Sequence, residues 1–198
     1  MNTATILIPA AGNSSRMRGA DKLLQTVDGI PLLRRQVVRA LSVAPVVVTV
    51  PAGRHPRYAA LDGLALTLLP VPDAAEGMAA SLRRGIQSLP PQATGAMIVP
   101  GDMPDLSEQD LSRIINAHYD KPDAIIQATA ADGTPGHPVL FPRALFSHFG
   151  RLSGDEGARA ILRDNRDLVQ RVALPGKHAL TDLDTPEDWD NWRARSEN

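Results

Sequence analysis

The chain has 198 residues, 43% of them hydrophobic, with a formal net charge of −1 and no cysteine. That length and apolar content suffice for one substantial core, while the near-zero charge argues against nucleic acid or an acidic membrane as the main partner. Without cysteine there are no disulfides, thiolate metal sites or cysteine nucleophiles.

Residues 5–9 (Thr-Ile-Leu-Ile-Pro) read as a short, fully buried strand. The strand runs into Ala10-Ala11-Gly12-Asn13-Ser14-Ser15-Arg16-Met17, and Lys22 follows six positions after the arginine. A glycine directly after a strand lets backbone amides face an anion. Arg16 and Lys22 add two charges to the same loop, which is therefore expected to cradle a triphosphate, with Gly12 and Ser14 in close contact. The segment has neither the three glycines of the Rossmann fingerprint nor the Gly-Lys-Ser/Thr ending of the P-loop.

Pro31 is expected in the first turn of a helix whose apolar stripe is Leu32, Leu33, Val37, Val38 and Leu41. Residues 46–50 and 64–69 read as further strands. Ser81, Leu82, Gly85, Ile86 and Leu89 mark a helix stopped by Pro90 and Pro91. After a strand at 97–99, Ser107 is the expected cap of a helix with acidic residues in its first turn, ahead of Leu111, Ile114 and Ile115. Residues 124–128 form another expected strand, and 133–141 a turn leading into a short strand whose antiparallel direction is left open. Asp155 is expected to cap a helix ending near Leu162, and Thr185 a final helix opened by Pro186. Residues 193–198 read as a polar, frayed end. The alternation implies an α/β fold with a doubly wound, mostly parallel sheet, in a single domain over residues 1–198. In such sheets ligands bind beyond the carboxyl ends of the strands, so the loops after Ile8, Leu69 and Val99 should converge.

At the end of the 97–99 strand, Pro100-Gly101-Asp102-Met103-Pro104 presents a carboxylate in a stiffened loop. A second pair, Asp182 and Asp184, alternates about Leu183, so both side chains point one way if the segment is extended. Magnesium at nucleotide sites uses one or two carboxylates plus substrate phosphates, which makes Asp102 and Asp184 the candidate Mg2+ ligands and Asp182 a supporting carboxylate. Taken singly, each is equally well explained as a turn or cap aspartate; their combination with the Arg16/Lys22 loop is what points to a metal. No apolar run approaches the roughly 18 residues of a membrane span, and no cleavable leader is visible. A soluble cytoplasmic protein is expected.

These segments, together with Lys22-Leu-Leu24, Gly29-Ile-Pro-Leu-Leu33, Glu76-Gly-Met-Ala-Ala-Ser-Leu82, Pro135-Gly-His-Pro-Val-Leu-Phe141, Gly154-Asp-Glu-Gly-Ala-Arg159 and Asp182-Leu-Asp-Thr-Pro-Glu-Asp188, resemble the MobA-like nucleotidyltransferases, and within them the molybdenum cofactor cytidylyltransferases. The resemblance spans almost the whole chain and implies the nucleotide-diphospho-sugar transferase type of fold. It implies transfer of CMP from CTP to the terminal phosphate of a molybdopterin-type acceptor, with release of pyrophosphate. Ala10-Ala11-Gly12 and Gly77-Met-Ala-Ala-Ser81 resemble the cytidine-using branch, with Gly77 and Ser81 at the base. The Arg16-to-Lys22 spacing is one residue longer and resembles the guanylyl branch, which leaves GTP as the alternative nucleotide.

Gly136, His137 and Asp155 are candidate acceptor contacts, though a turn histidine explains His137 equally well and a helix cap is the simpler explanation of Asp155. The product would pass to a molybdenum hydroxylase or its chaperone. Two other readings stay open: a nucleotidyltransferase acting on a sugar or polyol phosphate, and a non-catalytic cofactor-carrying module.

Overall fold

Unbroken burial of Thr5, Ile6, Leu7 and Ile8 makes β1 (Thr5–Pro9) an interior strand, and the computed structural model, which describes residues 3–196, pairs it on both sides. After β1 come a hairpin of β2 (Thr26–Val27) and β3 (Ile30–Pro31), then α1 (Leu32–Leu41), β4 (Val46–Pro51), α2 (Pro56–Leu61), β5 (Thr67–Val71) and α3 (Met78–Gln87). The second half adds β6 (Gly95–Ile98), α4 (Glu108–Asp120), β7 (Ile125–Thr129), β8 (Pro135–Pro142), α5 (Phe146–Phe149), α6 (Arg159–Asp164), β9 (Val169–Ala173) and α7 (Pro186–Ser196). The main sheet has seven strands in the order β5-β4-β1-β6-β8-β7-β9. β5, β4, β1 and β6 are parallel, β8 runs antiparallel to β6 and β7, and β9 is parallel to β7.

The strands are apolar on both faces because both faces are covered. On one side Leu33, Val37 and Ala40 of α1 and Leu111, Ile114 and Ile115 of α4 pack on Ile6, Ile8, Val48 and Met97. On the other, Ala79, Leu82 and Ile86 of α3, Phe149 of α5 and Ile161 of α6 pack on Leu7, Val47, Ile98 and Phe141. The fold is therefore the expected doubly wound α/β sheet. Its ligand edge gathers the carboxyl ends of β1, β4, β5 and β6 and, because β8 is reversed, the amino end of β8.

Local details depart from the sequence expectations. Strand β5 starts at Thr67 rather than Leu64 and extends through Pro70 to Val71; as an edge strand it tolerates that proline. Pro31 ends β3 and stands before α1 instead of inside its first turn. α3 starts at Met78, before Ser81, and β8 is eight residues long, not short. Asp155 does not cap its own helix: α6 begins at Arg159, and the Asp155 carboxylate instead accepts the amide of Met78, at 3.1 Å, at the start of α3. The expected caps at Ser107 and Thr185 are present, each as a reciprocal box with the aspartate three residues on. α7 continues to Ser196, so residues 193–196 are helical rather than frayed. The tail's last two residues and both ends of the expected 1–198 domain lie outside the described residues.

Candidate active site

The loop after β1 is held from below. Ala10 and Ala11 are each 1% exposed, whereas Gly12, Asn13, Ser15 and Arg16 are exposed. Ser14 sits in the left-handed region with φ 50°. Its hydroxyl accepts the amide of Lys22 and a bond from Arg57, at 3.3 and 3.1 Å, and contacts Asp21 at 3.3 Å. That hydroxyl is thus committed to the loop's own network rather than directed at a ligand. Arg57 is the residue that sequence reasoning missed. Its guanidinium, at the start of α2, donates to the carbonyls of Ala10 and Gly12 and to both oxygens of Asp21. Burial alone would push the Asp21 carboxyl up, but the hydrogen bonds and charge of Arg57 outweigh it and hold the pKa below the ordinary carboxylate value.

The charged half of the site joins residues far apart in sequence. The Lys22 ammonium bonds Asp102 and also lies 2.6 Å from Asp184 Oδ1, while Arg16 pairs with Asp184 Oδ2 at 2.8 Å. Burial would lower the Lys22 pKa, yet the two carboxylates overcome it and raise it above the ordinary lysine value. Asp102 is placed by its loop: the Gln36 amide of α1 bonds the Met103 carbonyl, and Arg39 donates to the carbonyls of Pro104 and Leu106 at 2.8 and 2.6 Å. Asp184 is brought alongside because the Leu183 amide donates to the Asp102 carbonyl at 3.0 Å. Asp182 also feels this pair: burial first, then the charges of Asp102 and Asp184, raise its pKa.

Among the described residues no group of three or more His, Asp or Glu side chains could hold a metal by itself. Two hard carboxylates with a cation already between them nevertheless fit a divalent ion whose remaining positions are filled by phosphate and water.

Gly77 and Gly136 have packing reasons to be glycine. Gly77 has φ +98°, and a Cβ there would lie 2.3 Å from Asp155 Oδ1 and 2.8 Å from the Gly154 carbonyl. The Ala79 amide also donates to the Gly154 carbonyl, at 3.0 Å, so the 154–155 turn closes the first turn of α3, and Ser81 is buried one turn further on. A Cβ on Gly136 would lie 2.0 Å from the Ala179 carbonyl, to which the His137 amide donates at 2.9 Å. Among the described residues, nothing beyond its own chain neighbours lies within 4 Å of a Cβ placed at Gly12, which leaves that face of the loop open. His137 stands at the amino end of β8, two positions before Val139, the partner of Ile98. The residue is solvent-exposed, yet desolvation by the surrounding protein lowers its pKa; the nearby Asp102 opposes this and Arg159 reinforces it. The structure thus gathers Arg16, Lys22, Asp102, Asp182, Asp184 and His137 at one edge, while Gly77, Ser81 and Asp155 form a separate wall at the start of α3.

Comparison with known proteins identifies the family. The MobA-like NTP transferase domain matches residues 6–171, so Asp182 and Asp184 lie beyond the matched segment. A probable molybdenum cofactor guanylyltransferase of Natronomonas pharaonis is 30% identical, covering 98% of this chain and 99% of its own. The crystal structure of Rv0371c from Mycobacterium tuberculosis H37Rv is 28% identical, covers 100% of this chain and 99% of that one, and superposes with a TM-score of 0.80; a second structure of Rv0371c is a complex with manganese. A CMP:2-keto-3-deoxy-manno-octonic acid synthetase complexed with CTP shares the fold, with a TM-score of 0.76 at 17% identity over 98% of each chain. The chain belongs to the MobA-like NTP transferase family and is a nucleotidyltransferase.

Proposed function

We propose that this protein transfers CMP from CTP to the terminal phosphate of a molybdopterin-type cofactor, with Mg2+ as its divalent ion. The observation that carries the reading is the Lys22 ammonium lodged between Asp102 and Asp184, beside a loop whose outer face is open. In the reaction an oxygen of the acceptor phosphate forms a bond to the α-phosphorus. The bond from that phosphorus to the α–β bridging oxygen breaks, and pyrophosphate leaves with the electron pair. A phosphate monoester is already anionic near neutral pH, so no strong general base is needed; positioning and charge neutralisation dominate. Arg16 is mostly exposed and its pairing with Asp184 is worth little, so its planar fork is free to move onto the β- and γ-phosphates. Lys22 stabilises charge at the α-phosphate and bridging oxygen, and the amides of the 10–14 loop receive the remaining oxygens. Asp102 and Asp184 would hold the magnesium, which supplies Lewis-acid neutralisation of phosphate charge. Gly136 and His137, at the amino end of β8, would meet the acceptor. Asp182 supports the two carboxylates, and Asp155 acts through α3.

The choice of CTP rests on Ala10-Ala11-Gly12 and on the segment from Gly77 to Ser81, whose Ala80 packs with Ala11 and Val71 in one buried cluster beneath the loop. GTP is the second reading, favoured by the name of the Natronomonas relative and by the Arg16–Lys22 spacing. Pyrophosphate release with magnesium and molybdenum cofactor, measured for CTP, GTP, ATP and UTP in parallel, tests both. Release with CTP alone supports the cytidylyl reading. Preference for GTP moves the chain to guanylyl transfer, and no release with any of the four sends the search to a sugar or polyol phosphate acceptor.

A further inference from the structure

Arg57 is 1% exposed, and its guanidinium is fully engaged by the loop after β1. Nε and NH2 grip Asp21 bidentately, each at 2.8 Å; NH1 donates to the carbonyls of Ala10 at 2.7 Å and Gly12 at 2.8 Å; NH2 also reaches Ser14 Oγ at 3.1 Å. A buried ion pair of this kind adds little net stability, because desolvation offsets most of the attraction. Its consequence is geometric. The fork touches the loop at residues 10, 12 and 14, and in a trans peptide the N–H points opposite to the preceding C=O. Drawing the carbonyls of Ala10 and Gly12 inward therefore turns the amides of Ala11 and Asn13 outward, to the side where Gly12 and Asn13 are exposed. Asp21 extends the same brace to the cationic end of the loop: it accepts the Leu23 amide at 3.0 Å, while Ser14 Oγ accepts the Lys22 amide.

We propose that Arg57, with Asp21 as its counter-ion, is the positioning residue of the phosphate loop. It touches no substrate; it sets the peptide planes and the Lys22 backbone that meet the triphosphate. This inference rests on the nucleotide-binding reading given above. Lysine cannot substitute, because a single ammonium cannot span two carbonyls, a hydroxyl and a bidentate carboxylate.

The test uses the full-length protein, the variant Arg57→Lys and the double variant Arg57→Met/Asp21→Asn, which removes both charges and leaves no unpaired carboxylate. Thermal melts establish that each is folded. Calorimetry then gives the affinity for inorganic tripolyphosphate with magnesium, and kinetics give KM separately for nucleoside triphosphate and molybdenum cofactor. The expected result is a loss of tripolyphosphate affinity on the order of 10-fold or more in both variants, the usual cost of losing a supporting contact, with the KM for the cofactor held within about twofold of the parent. Tripolyphosphate binding within about twofold of the parent, or equal rises in both KM values, would overturn the proposal. Failure of the parent protein itself to bind tripolyphosphate would overturn the nucleotide reading and this inference with it, whereas tight binding by the parent and both variants would overturn the inference alone.

Discussion

Lys22 and Asp184, 162 residues apart in sequence, meet at 2.6 Å, and the same ammonium also bonds Asp102. On the proposed reading Asp102 and Asp184 would hold the divalent ion, and Lys22 would release them when nucleotide and metal bind. Lys22→Met should reduce turnover on the order of 100-fold, the scale of a lost transition-state electrostatic partner. It should also raise the affinity of the nucleotide-free protein for Mn2+ alone, because the internal competitor is gone. Electron paramagnetic resonance titration of Mn2+ reads the second effect. Unchanged turnover would remove Lys22 from the chemistry, and weaker Mn2+ binding would show that the ammonium does not compete.

Asp102→Ala should abolish metal-dependent turnover and leave the fold intact. The Gln36 amide and Arg39 hold the Asp102 loop through backbone carbonyls rather than through the carboxylate. A circular dichroism melt and an assay across magnesium concentration check the two halves. Residual activity with normal magnesium dependence would contradict the assignment.

Much of the scaffold was legible in the sequence because its signals are local. The apolar runs of β1, β4 and β6 and the N-caps at Ser107 and Thr185 can be read without knowing the tertiary structure. Arg57 could not be read in this way: an arginine in a short helix is ordinarily a surface residue, and only the sheet topology brings α2 under the β1 loop. Asp155 misled for a related reason. An aspartate before apolar residues at helical spacing looks like an N-cap, but positive φ at Gly154 and Gly157 turns the chain and sends the carboxylate to α3. The β2–β3 hairpin carried a signal that strand periodicity could not expose. Asp28-Gly29 has positive φ at both positions, as a type I′ turn requires, but the flanking strands are two residues each.

The latch between the 154–155 turn and α3 predicts a stability effect away from the charges. Gly77→Ala would force a Cβ against Asp155 Oδ1 and the Gly154 carbonyl at a left-handed φ, costing about 1–3 kcal/mol. Asp155→Ala removes only the bond to the Met78 amide, with a smaller cost of about 1 kcal/mol typical of a lost cap. Urea denaturation of both variants checks the order. A Gly77→Ala protein as stable as the parent would mean that the turn yields without cost.

Acid stability should report the Arg57–Asp21 pair. Burial raises the Asp21 carboxyl and the Arg57 hydrogen bonds and charge lower it more, so its folded pKa lies below the ordinary aspartate value. A carboxylate whose pKa is depressed by folding binds fewer protons in the folded than in the unfolded state over that interval. Its contribution is therefore fully present above the unfolded pKa, near pH 4, and is lost as pH falls through the folded pKa. Between these limits the parent protein should lose stability with falling pH, and Asp21→Asn should flatten that limb by removing the titrating group. Because the asparagine leaves the guanidinium without its charged partner, the variant should also be less stable than the parent at pH 7 and converge towards it as the pH drops. Chemical denaturation from pH 7 down to pH 2.5 measures both curves. Parallel curves, offset by a constant amount across the acid range, would show that Asp21 does not titrate below its ordinary value and that its pairing with Arg57 is weaker than the geometry implies.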